Sequence, residues 1–103
     1  MTRTPLTDGS GRWFNPRAAQ AWDEGCTFDG RNYISDATGS QWDHERLYHT
    51  AGGRWILRSW SQWQGSRTTY EEVTPAAAAV WLIRNGHKLH ESCAAQAADL
   101  EMT

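Results

Sequence analysis

His87, His90 and Cys93 are spaced at three, a pattern that can set metal ligands along one side of a helix. Zinc needs a fourth ligand, which only the fold would bring from His44, His49 or Cys26, and no paired C-x-x-C motif is present. The plainer reading has His87 following a helix-stopping Gly86, His90 in solvent and Cys93 in the core. No metal and no cofactor are expected. Nucleophilic chemistry has less behind it, because neither Cys26 nor Cys93 carries a local signature of a catalytic thiol. Ser35, Ser40 and Ser66 fall in loops without a nucleophile-elbow context. The paired acids Asp23-Glu24 and Glu71-Glu72 are neighbours on extended chain, so each pair points to opposite faces. The glycines form no phosphate loop. The chain is read as not an enzyme.

A different chemistry, recognition, is offered by Arg54-Trp55-Ile56-Leu57-Arg58-Ser59-Trp60-Ser61-Gln62-Trp63. Period-2 alternation puts Trp55, Leu57, Ser59, Ser61 and Trp63 on one side, expected to be core. Arg54, Ile56, Arg58, Trp60 and Gln62 lie on the other, expected to be half wet. Arg and Trp are enriched in the energetic centres of protein interfaces, so Arg54, Arg58, Trp60 and Gln62 are the candidate partner-binding residues. The leading expectation is a protein-interaction module, holding a protein partner or a second copy of itself in an inhibitor or antitoxin-like role. The alternative is a small single-stranded nucleic-acid binder, because Arg beside indole also stacks on bases. The bland reading makes Trp60 ordinary core.

The totals are compatible with either role. A chain of 103 residues forms one domain with a single core, and seven Trp supply apolar area that the few Ile, Val and Phe do not. The net charge of -2 argues against coating nucleic acid by bulk electrostatics. No apolar run approaches a membrane span, and Met1 to Pro5 has no apolar segment behind its charge to read as a secretory signal. Two cysteines are too few for a disulfide scaffold, so a cytoplasmic setting with free thiols is expected.

Elements must position that strand. Residues 1–12, with Pro5, Gly9 and Gly11, read as a flexible lead with little structure before Trp13, and residues 13–103 as one α+β domain. Trp13 to Glu24 leans toward an edge strand. Cys26 to Asp43 reads as a loop holding two short strand pieces about Asp29-Gly30. Glu45 to Val73 reads as a three-stranded antiparallel meander. If Gly52-Gly53 is a two-residue hairpin loop, Tyr48 pairs with Leu57 and His49 with Ile56. Thr74-Pro75 is an N-cap followed by proline at the first helical position, and Gly86 is a natural stop, which predicts a helix over 75–85. Ala78, Trp81, Leu82 and Asn85 form its inner face, widened by Ala79, Val80 and Ile83. A second helix is expected from about Lys88 to Leu100, with Leu89, Cys93, Gln96, Ala97 and Leu100 inside. The fold class is therefore a three- to four-stranded antiparallel β-meander packed against two C-terminal helices.

The order Leu47-Tyr48-His49-Thr50, Gly53 to Leu57, Trp60-Ser61, Gln64 to Ser66, Tyr70 to Val73, then Ala77-Ala78 through Trp81-Leu82 to Gly86 resembles a loose group of small bacterial proteins. Members of that group are met on plasmids, phages and integrative elements. The resemblance covers about Leu47 to Gly86 and implies the meander-then-helix layout, with no activity attached.

Overall fold

The computed structural model describes residues 2–102. Its organising unit is a four-stranded antiparallel sheet in the order β3-β6-β7-β8, formed by β3 (Gln20–Asp23), β6 (Asp43–His49), β7 (Trp55–Ser61) and β8 (Thr69–Val73). Two further pairs flank it. β1 (Thr4–Pro5) joins β2 (Trp13–Phe14), and β4 (Cys26–Phe28) joins β5 (Tyr33–Ser35). The α+β class and the antiparallel meander are thus present, with more strands and more sheets than a single meander supplies. The edge strand expected within 13–24 is Gln20–Asp23, and the two pieces expected around Asp29-Gly30 are β4 and β5.

The β6–β7 register differs from the sequence expectation by one residue: Tyr48 faces Ile56 and His49 faces Trp55. The cause lies in the turn. Of the two glycines only Gly53 has positive φ, at 85°, and Thr50 exchanges backbone hydrogen bonds with Gly53 and Arg54. The loop is therefore Ala51-Gly52-Gly53, a three-residue connection ending in a left-handed glycine, where a two-residue loop of this kind needs both residues left-handed. The slip sets Leu47 opposite Leu57, which gathers the apolar residues on one face.

That face carries Trp22, Leu47, Trp55, Leu57 and Val73 against α1 (Pro75–Arg84) and the C-terminal turns. Thr74 caps α1 as its composition predicts, its hydroxyl accepting from Ala77 N at 3.1 Å, and Gly86 ends it at φ 76°. Ala78, Ala79, Trp81, Leu82 and Asn85 are buried. Val80 and Ile83 are exposed, so α1 buries a stripe and not most of its circumference. The second helix is also shorter than expected. A 3₁₀ turn, Glu91–Cys93, leads into α2 (Ala94–Ala98), because the His90 side chain accepts from Ser92 N and starts the turn there. Cys93 and Ala97 face the core as predicted, whereas Leu89 and Leu100 are exposed.

The opposite face carries Ala21, Tyr48, Ile56 and Tyr70, packed against Leu6, Phe14 and Ala19. Little structure was expected before Trp13. Instead Leu6 is buried, and the Thr7 backbone N–H donates to the Tyr70 carbonyl at 2.8 Å while its hydroxyl accepts from Tyr70 N at 2.9 Å. These bonds pair Tyr70 on the outer edge of β8, where its backbone groups would otherwise be unpaired. No helix among the described residues is long and apolar enough to cross a membrane.

Candidate functional site

Of the four residues singled out, Arg58 and Trp60 lie on β7, whereas Arg54 precedes it and Gln62 follows it. Ile56, only 3% exposed, lies beneath Leu6 and Phe14, and so separates Arg54 at one end of the face from Arg58 and Trp60 at the other. Arg54 reaches back to β8, where its Nη1 donates to Glu72 at 3.0 Å. Gln62 is exposed just past the strand end, its backbone N–H bonded to the Trp42 carbonyl. Trp63, expected in the core, is 60% exposed, because β7 ends at Ser61 and Trp63 enters the following turn. Its ring packs instead on the exposed Trp42, with centroids 5.1 Å apart.

Arg58 and Trp60 stay together and acquire neighbours from other strands. The Arg58 guanidinium lies 4.5 Å from the centre of the Trp60 ring and 5.9 Å from that of Tyr70. Both Arg58 and Trp60 are half-buried. Across β6, His44 stands opposite Trp60 with ring centroids 5.6 Å apart, and Arg46 stands opposite Arg58. Arg46 in turn lies over Tyr48 at 5.4 Å. His44, Arg46 and Tyr70 are the site residues that the linear reading missed. Only the cross-strand register could have found them, since they are distant in sequence from Trp60.

The electrostatics of this cluster are unbalanced. Like charges directly opposite on a sheet are unfavourable, yet Arg46 and Arg58 are paired so, with Asp23 the one carboxylate in ion-pair contact with either among the described residues. Asp23 Oδ1 is 3.3 Å from Arg46 Nε without hydrogen-bond alignment, and the aspartate is largely in solvent. Arg46 Nε, Arg58 Nε and His44 Nε2 are all shielded from water with no hydrogen-bond partner among the described residues. Glu24 offers them nothing further. Its carboxylate already accepts from Ser35 Oγ at 2.8 Å, from Glu45 N at 2.7 Å and from His44 Nδ1 at 2.6 Å.

The His/Cys set does not assemble. His87 Nε2 donates to the Asp23 carbonyl at 2.6 Å and its ring stacks on Trp81, while His90 packs against His49 at 4.6 Å between centroids. Among the described residues no group of three or more His, Cys, Asp or Glu is placed to hold a metal ion. Cys93 is buried and Cys26 exposed, each a free thiol, and burial pushes the Cys93 thiol up, away from reactive thiolate. Ser35 is occupied as a turn former, accepting from Ala37 N and Thr38 N while it donates to Glu24. On the helix side, Trp81 Nε1 donates to Glu45 at 3.0 Å, and burial raises the Glu45 carboxyl above its ordinary value.

No family model, no curated protein and no solved structure matches this chain. The functional reading therefore rests on geometry alone.

Proposed function

We propose that this protein is a non-enzymatic interaction module that holds a protein partner on the Arg46/Arg58/Trp60 half of its sheet. The observation that carries the reading is the Arg58 guanidinium held 4.5 Å over Trp60 on a half-exposed sheet face. An Arg and a Trp already fixed against each other lose little side-chain freedom on association, and this pair of residue types dominates interface energetics. The facing Arg46 adds a second, half-exposed guanidinium to the same face. A partner presenting a carboxylate beside an apolar side chain fits this chemistry.

The same face has less to offer a nucleic acid. Base stacking needs a free ring surface, and Trp60 already has Arg58 and His44 against its ring. The test uses wild type, Trp60→Ala and Arg58→Ala as baits in lysate of the native host, each checked for an intact fold by circular dichroism. The expected result is one protein retained by wild type, lost by both folded variants and only weakly sensitive to salt. Retention of single-stranded oligonucleotide, with affinity falling steeply as salt rises, would move the face to the nucleic-acid reading. Sedimentation shows whether the partner is a second copy.

A further inference from the structure

At the other end of the same sheet face the fold builds a cavity that the interaction reading does not use. The β1–β2 pair stands over the sheet beside the Thr50 to Arg54 turn, and the space between them measures about 500 Å³. That lies within the roughly 300–1,000 Å³ of pockets that take small organic ligands. Its apolar lining is Leu6, Phe14 and Ile56, each buried, drawn from three separate segments of the chain. Trp13 lines it as well and is half in solvent, with the Arg3 guanidinium 5.0 Å from its ring centre.

The polar wall has a definite sense. Glu72 is held by two guanidiniums, Oε1 to Arg12 Nη1 at 2.7 Å and Oε2 to Arg54 Nη1 at 3.0 Å, and these bonds hold its carboxyl below the ordinary glutamate range. Arg12 spends its remaining nitrogens on Asp8 and Ser10. Arg54 commits only Nη1 among the described residues, and its Nε and Nη2 are left to donate. Counting Arg3, Arg12 and Arg54 against Asp8 and Glu72, the surroundings carry one net positive charge. The anions there are engaged and Arg54, though paired to Glu72 through Nη1, keeps Nε and Nη2 uncommitted among the described residues, so the polar group this cavity can still receive is an acceptor.

We infer that this cavity is a binding site for a small amphipathic carboxylate, its flat apolar body lying against Trp13 over the floor made by Leu6, Phe14 and Ile56 and its carboxylate bound by Arg54. The inference is independent of the partner-binding reading, because it uses the opposite end of the face.

The test titrates the whole protein with 2-naphthoate and with its neutral isostere 2-naphthamide, following the Trp13 indole and the Leu6 and Ile56 amides by heteronuclear NMR. Naphthoate is expected to bind with Kd below about 1 mM and at least about tenfold tighter than the amide, the ratio that one charge-assisted hydrogen bond supplies. Arg54→Gln, at a largely exposed position, should bring the two probes to similar affinity. Ala18→Trp fills the cavity from an exposed position on its lining and should abolish binding of both probes, with the spectrum of the C-terminal helices unchanged. Equal affinity of wild type for the two probes, shifts confined to residues outside the cavity, or binding undiminished in Ala18→Trp overturns the inference.

Discussion

The two faces of the central sheet are covered in different ways. On one, Trp55 and Leu47 meet a capped ten-residue helix and two turns beyond it, and both are fully buried, with Trp22, Leu57 and Val73 partly buried around them. On the other, Ile56 and Tyr48 meet an irregular N-terminal segment that reaches only part of the way along the strands. Past its limit Arg46, Arg58, Trp60 and His44 stand half-buried. The ten-residue helix and the C-terminal turns after it together pack on that face. Two residues of β1 and two of β2 cannot do the same. The difference leaves one face as structural core and makes the other a composite of core, cavity and open aromatic surface.

That contrast can be broken most sharply by truncating one buried leucine on each side. Leu82→Ala, in the helix-covered core with no exposed surface, is expected to cost about 4 kcal/mol in urea unfolding, toward the upper part of the range for buried leucines. Leu6→Ala, under the shorter cover, should cost about 2 kcal/mol, because the segment can relax into the space. Equal losses would mean that the N-terminal segment is as firmly part of the core as α1. Removing the helix cap with Thr74→Ala should cost about 1 kcal/mol by the same measurement and loosen only the helix-covered face. Arg58→Ala, on the open part, should change stability by no more than about 0.5–1 kcal/mol, the worth of a partly exposed cation–π contact. Under the proposed reading its larger effect is a loss of partner binding.

The last difference is visible as a slope with pH. His49 lies on the helix-covered face against Trp55 and His90, and its imidazole is held below its usual value by burial first and by His90 second. The unfolded chain therefore binds a proton more readily than the folded one once pH drops below about 6.5. Stability should fall as pH is lowered from that value through the depressed folded one, and His49→Phe should flatten the fall. A melting temperature in wild type that holds level between neutral and mildly acid pH would contradict this account.

The helix-covered half was largely legible in the sequence. Thr74-Pro75 and Gly86 mark α1 because capping is local chemistry, and the odd-numbered residues of β7 face it because alternation is a property of one strand. The N-terminal cover was not legible. Leu6 is an isolated apolar residue among turn formers, and nothing near it announces burial, since its partners Tyr48 and Ile56 lie some forty and fifty positions away. Alternation alone points Trp63 to the core, but the strand stops at Ser61 and the alternation ends with it.

By itself, then, the sequence determined the strand periods, the capped helix, the two short strands about Asp29-Gly30, and the pairing of Arg58 with Trp60 as same-face neighbours. These are local, set within a few residues by propensity, capping and alternation. The tertiary structure alone decided the register around Gly53, the burial of Ile56 beneath Leu6 and Phe14, and the separation of Arg54 from Arg58. It also brought His44 and Arg46 beside Trp60 and Arg58. Each of those depends on which distant segments meet, and a one-residue choice at a turn moves every cross-strand neighbour with it.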